Sequence, residues 1–297
     1  MMGTTELTLV GPGGEPVDLW RTFLSHGLAS LPPLQLDRDI RALTATLPVG
    51  AGARTVRVRQ GRPGVARVEA IDGGPIGDEV VAAARHVLRL DEDLSGFYRL
   101  VAADPDLAWV ATGAGRLVRS ATVFEEVVKT ICTTNCAWSA TVRMVGALVE
   151  GLGAAGTAGR AFPTPVAMAE AGEAFYRDTA RAGYRGPYLL SLARAVAEGR
   201  VDLEALGPTG PDGPGDDEVA ARLLDLPGVG PYAVAHVMLL LGRYSRLVLD
   251  SWTRPKYARL AGSTVPDGAI IERFARYGEY AGLAFWLHLT ADWVEPV

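Results

Sequence analysis

The sequence predicts an α+β fold, mainly α, with an N-terminal antiparallel β-sheet lobe followed by an all-helical core. Three observations predict it. Thr55-Val56-Arg57-Val58-Arg59 and Ala66-Arg67-Val68-Glu69-Ala70 alternate with the period of two of half-buried strands, and Gly61-Arg62-Pro63-Gly64 supplies the turn between them. From Asp78 onward the apolar residues recur at helical spacing instead. Near the C-terminus, Leu226-Pro227-Gly228-Val229-Gly230-Pro231-Tyr232 leaves room only for a tight corner between two helical stretches. The change of period divides the chain into a β/α lobe, residues 1–90, and a helical core, residues 91–297, with the corner at 224–232.

Along the chain, Asp18 to Leu28 reads as a helix and Arg41 to Leu47 as a strand beside the two above. Gly77 to Leu90 is the first helix of the second pattern. Thr122-Val123-Phe124-Glu125 is a capping box, in which the threonine and glutamate side chains satisfy amides at a helix start, so a helix runs from Thr122 to Thr130. Further helices are expected at Ala137 to Leu152, from Thr164-Pro165, and from Gly186-Pro187 to Glu198. Gly207 to Gly215 is rich in glycine and proline and reads as a loop. Asp216 to Leu224 and Tyr232 to Leu241 flank the corner, and the last helix is expected from Tyr280 to Trp293. No internal repeat is present.

The corner has chemical content. A reversal this tight needs positive φ, which Gly228 and Gly230 supply; lacking a Cβ, they also let a ligand approach the backbone. Pro231 suits a first helical turn, where an N–H would go unpaired anyway. Amides around Gly228, Gly230 and Tyr232 then point outward at a helix start, a geometry that binds an anion such as phosphate. The same glycines also suit a plain helix–turn–helix corner. Beyond it, Asp250 ends the apolar run Leu247-Val248-Leu249. Such a carboxylate either caps a helix beginning at Ser251 or serves chemistry, and one aspartate can do both.

Composition bounds the reading. With 297 residues, 48% apolar and 21% charged, the chain can bury a large core. No apolar run approaches the length of a membrane span, and Met1-Met2-Gly3-Thr4-Thr5-Glu6 lacks the basic start and apolar core of a secretory signal. A cytoplasmic monomer is expected. Cys132 and Cys136, one helical turn apart, are expected as free thiols and are too few for a four-thiolate iron–sulfur cluster. His26, His86, His236 and His288 form no zinc pattern. The net charge of −5, with a pI of about 5.5, argues against a nucleic-acid binder if the charge is spread evenly. It is not: Arg243, Arg246, Arg254, Lys256 and Arg259 outnumber Asp225 and Asp250 around the corner, and Arg54, Arg57, Arg59, Arg62 and Arg67 form a second basic stretch. One basic face is compatible with DNA, although solvated surface charge explains any single cluster.

These residues also carry a resemblance. The corner followed by Asp250 resembles the helix-hairpin-helix, Gly/Pro-rich loop and aspartate signature of the base-excision DNA glycosylases (the HhH-GPD superfamily). Ile131-Cys132-Thr133-Thr134-Asn135-Cys136 resembles the turn that these enzymes insert into DNA. Gly183-Tyr184-Arg185 with Tyr188 resembles the segment before the hairpin in 8-oxoguanine glycosylases, and Tyr277-Gly278-Glu279-Tyr280-Ala281-Gly282 resembles their last core helix. The resemblance spans about Val123 to Trp293; before that it is architectural, a sheet lobe like that of the alkylation-repair and 8-oxoguanine enzymes.

The resemblance implies an active site in the cleft between helical lobes and a partner, double-stranded DNA containing a damaged base. Asp250 would be the catalytic aspartate. Asn135 would fill the gap left by the extruded base and Arg185 would read its widowed partner; Gly228, Val229, Gly230 and Arg254 would contact the backbone. No cofactor is required, and a monovalent cation at the hairpin is an implied option. Tyr232 stands where bifunctional relatives place a lysine, and lysines are scarce, so a monofunctional enzyme using water is expected. Ala140 stands where 8-oxoguanine enzymes have a second arginine, so the likeness does not extend to that contact. Phe285, followed by Trp286, stands where they place a glutamine. With Trp138 and Tyr232, these rings suggest an aromatic cage for a cationic alkylated purine. An 8-oxoguanine-type glycosylase and a non-catalytic binder of distorted DNA are the alternatives.

Overall fold

The computed structural model describes residues 3–50, 52–207 and 213–294; Met1, Met2 and the centre of the Gly/Pro-rich 207–215 stretch lie outside the described residues. Strands β1 (Thr4–Thr8), β2 (Leu34–Asp37), β3 (Ala42–Val49), β4 (Gly52–Gln60) and β5 (Val65–Ala70) form one antiparallel sheet in the order β1-β5-β4-β3-β2. The register places Leu43 opposite Val58 and Val58 opposite Val68, so period-two alternation puts these side chains on one buried face. Helices α1 (Leu19–Phe23) and α2 (Asp78–Val87) supply Leu19, Phe23, Val80, Ala84 and Val87 to the same buried cluster. On the other face Arg59 and Arg67 both pair with Glu69. Arg54 pairs with Asp72 and Arg62 with Glu6. The second basic stretch is therefore largely neutralised within the lobe.

Helix α1 stops well short of the expected Leu28. Ser25 and His26 are held by residue 118 instead: Ser25 Oγ accepts from the Val118 amide at 3.0 Å, and His26 Nε2 lies 2.5 Å from the Val118 carbonyl. His26 is consequently extended, at φ −162°. A tertiary contact here overrides helical spacing.

The helical core contains α3 (Ser95–Val101), α4 (Val123–Thr133), α5 (Trp138–Leu152), α6 (Pro165–Glu170), α7 (Gly172–Ala174) running into a π-turn at Phe175–Thr179, and α8 (Arg185–Ala197). It continues with α9 (Asp216–Leu224), α10 (Pro231–Leu241), α11 (Thr253–Ala261), α12 (Asp267–Ala275) and α13 (Ala281–Thr290). A two-stranded ribbon, β6 (Ala155–Gly156) with β7 (Gly159–Arg160), links α5 to α6. Thr122 caps α4 by accepting from the Glu125 amide at 3.1 Å, and Thr164 caps α6 by accepting from Ala167 at 3.2 Å. α10 is buried on all sides from Ala233 to Leu241, and α13 buries Ala281 to Leu287. Helices apolar all round belong at the centre of a core, and truncating one of their leucines to alanine costs about 2–5 kcal/mol. α13 ends at Thr290, before the expected Trp293, and a 3₁₀ turn follows.

Arg89 fastens the sheet lobe to this core. Its guanidinium is buried and bonds the carbonyls of Leu117 and Leu240 and the carboxylate of Glu92. No described helix is long and apolar enough to cross a membrane.

Candidate functional site

Four elements converge on a cleft of about 640 Å³ lined by Thr133, Asn135, Tyr184, Gly230, Tyr232 and Asp250, among others. α4 delivers the 133–136 turn, α8 begins beside Tyr184, the corner between α9 and α10 brings the glycines, and the loop into α11 brings Asp250.

The corner follows from two constraints. Gly228 has φ +80°, and a Cβ there would lie 2.8 Å from the Tyr188 ring, so only glycine fits. Gly230 is different from the expectation: its φ is −105°, ordinary extended backbone, and it serves as the N-cap of α10 ahead of Pro231. Val229 is buried, and its amide donates to the Leu226 carbonyl at 3.2 Å, so it anchors the corner from inside and does not present an amide to the cleft. The amides of Gly228, Gly230, Tyr232 and Ala233 have no hydrogen-bond partner among the described residues, and these residues line the cleft. Unpaired amides at the positive end of a helix make an anion site.

Asp250 is half-buried and fixed. Its Oδ1 accepts from the amides of Trp252 (2.8 Å) and Thr253 (2.6 Å), while its own amide donates to Thr253 Oγ1 at 2.8 Å. This reciprocal cap starts α11 at Thr253, not at Ser251. Oδ2 has no hydrogen bond among the described residues and remains available. Burial, countered by a hydrogen bond with Thr133 (3.2 Å between oxygens), raises the Tyr232 phenol above its ordinary range, and the charge of Asp250 adds to that rise. The phenol is therefore neutral. No metal-binding group of three or more His, Cys, Asp or Glu occurs among the described residues.

Solved structures share this architecture. The 8-oxoguanine glycosylase/lyase of Clostridium acetobutylicum in its apo-form superposes with a TM-score of 0.73 at 18% identity, over 97% of this chain and 95% of that one. The 3-methyladenine DNA glycosylase of Archaeoglobus fulgidus gives 0.74 at 19% identity, over 96% and 98%. The clostridial enzyme in complex with double-stranded DNA containing cytosine opposite 8-oxoguanine gives 0.71 at 18%, over 95% and 94%. The chain has the DNA-glycosylase fold. No protein-family model and no curated protein sequence matches it.

Within this glycosylase fold the expected site residues separate. Asn135, Gly228, Gly230, Tyr232, Asp250 and Arg254 meet at the cleft. Asn135 is exposed in the left-handed region, φ +46°, which asparagine tolerates better than most residues, and its amide donates to the Tyr184 hydroxyl at 3.3 Å. Arg254 is engaged by Asp267 through two 2.8 Å bonds. Such an exposed pair is worth about 0–1 kcal/mol, so an anion can compete for it. Arg246 and Lys256 are similarly paired with Asp217 and Asp292, so the basic face is narrower than the residue count implies.

Three placements correct the sequence reading. Arg185 is 6% exposed; its guanidinium bonds Thr134 Oγ1 (3.2 Å) and the Thr134 carbonyl and stacks 4.4 Å from the Tyr184 ring centre. It braces the turn that carries Asn135 and does not reach into the cleft. Phe285 is wholly buried between Tyr257 and Phe274 and is a core residue, because α13 turns it away from the cleft. Cys136 lies beyond the end of α4, so the two cysteines do not share a helical turn; both are free thiols.

Trp286 and Trp138 do not line the cleft itself. Trp286 packs with Trp252 and Trp293 at centroid distances of 5.7 and 6.0 Å and donates to the Ser25 carbonyl at 2.8 Å. Trp138 is exposed and closes on Gly27, where a Cβ would come within 3.2 Å of its ring. Sequence reasoning missed Trp252 and His236. Both had a signal: His236 lies one helical turn beyond Tyr232, on the same face of α10, and Trp252 sits two residues past Asp250.

Proposed function

We propose that the protein is a monofunctional DNA N-glycosylase that extrudes a damaged purine from duplex DNA and hydrolyses its N-glycosidic bond, leaving an abasic site. The observation that carries this reading is Asp250, pinned through Oδ1 with Oδ2 free, in the same cleft as the unpaired amides of the corner. Glycosidic bonds break through a sugar with oxocarbenium character. A fixed carboxylate facing C1′ stabilises that charge and orients a water. The corner amides suit the phosphate beside the reacting sugar. The carbonyls of Pro227, Gly228 and Val229 have no backbone partner among the described residues, so they fit a monovalent cation that would add positive charge there.

A base inside a duplex must be flipped out to reach such a carboxylate. Asn135, exposed at its turn, suits the role of filling the gap. Water as the nucleophile is supported by the lysines: the chain has two, Lys129 buried 2.6 Å from Glu125 and Lys256 paired with Asp292. An alkylated purine is supported by the indoles of Trp252, Trp286 and Trp293, whose faces attract a cationic ring.

The test is a panel of duplexes carrying 7-methylguanine, 3-methyladenine analogues or 8-oxoguanine, scored for base release with and without alkali and for a borohydride-trapped adduct. Release of methylated bases, strand breaks only after alkali and no adduct are expected. Release of 8-oxoguanine alone would reverse the substrate order, an adduct would make the enzyme bifunctional, and binding without release would leave a reader of distorted DNA.

A further inference from the structure

We propose that His236 is a specificity-determining residue that hydrogen-bonds the edge of the base held in this site; the inference rests on the glycosylase reading above. His236 is 5% exposed, and neither of its ring nitrogens has a partner. Burying a polar group without a partner is costly, so an imidazole with two unpaired nitrogens is out of place in a core that serves only packing. It lies between Tyr232 (centroids 5.7 Å) and Trp286 (6.2 Å, edge-on).

A second buried nitrogen is also unpaired. His26 Nδ1 has no partner, and His26 follows the Ser25 carbonyl that holds Trp286. Burial lowers His236 to about 4, with Asp250 pulling the other way, and lowers His26 to about 3. Both rings are therefore neutral at pH 7, and each neutral imidazole carries one donor and one acceptor. Trp252, 38% exposed, is the solvent-side member of the ring cluster and follows Asp250 closely, so it is the wall that a base entering past the carboxylate would displace.

This chemistry selects a class of ligand. Neutral imidazoles tolerate a cationic base, which a protonated histidine would repel, and their acceptor nitrogens suit a base edge bearing N–H donors, as the exocyclic amine of an alkylated adenine does. Aromatic walls supply affinity for any purine; the histidine supplies the discrimination.

Single-turnover base release by wild type, His236→Phe and His236→Gln decides it, together with affinity for a duplex carrying an abasic analogue. His236→Phe is expected to slow release of methylated adenine about 10-fold or more, the value of one hydrogen bond of about 1.4 kcal/mol, with abasic-duplex affinity unchanged and partial rescue by Gln. In wild type, ¹⁵N-histidine NMR with an uncleavable 2′-fluoro substrate is expected to move the His236 ring nitrogens, a readout independent of how the variants fold. An active wild type with unmoved nitrogens, or with a His236→Phe rate within twofold on every lesion, overturns the role of His236 alone. A wild type that releases no base overturns the glycosylase reading and this proposal with it.

Discussion

The corner at residues 226–231 is open, polar and made of backbone, whereas the compartment around Trp286 is closed, mostly apolar and made of side chains. Both adjoin Asp250. Backbone amides are the same in every residue, so the corner can hold an anionic strand whatever its bases are. Rings and imidazole nitrogens differ from one side chain to the next, so on the proposed reading selectivity would reside in the compartment. On that reading the site has a gripping half and a reading half, with one carboxylate between them.

The largest expected effect falls on that shared carboxylate. Asn also caps helices, so Asp250→Asn should keep the α11 start and a near-wild-type thermal midpoint while base release falls about 10²–10³-fold, as when a charge-stabilising group is removed. Full release by this variant would move the chemistry to another residue and leave both halves without a common centre.

Acid comes next and acts on the buried histidines, two of which, His26 and His236, border the reading half. His26, His86 and His236 are held below their ordinary range by burial, at about 3, 4 and 4. Each contributes stability that is present above pH 6.5 and lost as pH falls toward its folded value. Glu126, raised to about 7 by burial, works in the opposite direction between 4.5 and 7. His288 is lowered by burial as well, and four histidines against one glutamate leave a net fall in stability from pH 6.5 to 4.5, at about 1.4 kcal/mol per pH unit for each unbalanced proton. Urea unfolding across that range measures it; a flat profile would mean that the histidines are not buried as neutral rings.

The smallest effect is expected at the corner. Gly228→Ala forces an L-residue to φ +80° beside Tyr188, a cost of about 1–2 kcal/mol. Fluorescence anisotropy should show weaker binding to all duplexes alike, with the ranking of lesions unchanged. A changed ranking would erase the distinction between gripping and reading.

Legibility in the sequence follows the same division. The corner was readable because Gly228 and Pro231 have steric demands that act over a few residues, and Asp250 because it stands alone after an apolar run. Gly230 was misjudged because glycine serves equally well as an extended cap and as a positive-φ hinge. Phe285 was misjudged because adjacent positions on a buried helix face different neighbours, and nothing local tells which neighbour is the cleft. The bracing of Thr134 by Arg185 was not readable because the two lie 51 positions apart in the chain. α11 has a polar sequence with few buried positions, so its periodicity was too faint to read.

Local sterics, period and capping therefore set the three central strands β3 to β5, most of the helices, the corner and the lone carboxylate, because each depends on residues a few positions apart. Which ring lines the compartment, which partner each arginine takes and which nitrogens of His26 and His236 stay unpaired were decided only when distant segments packed. A hydrogen bond left unmade is a property of everything that surrounds a group, and the chain order of its neighbours does not contain it.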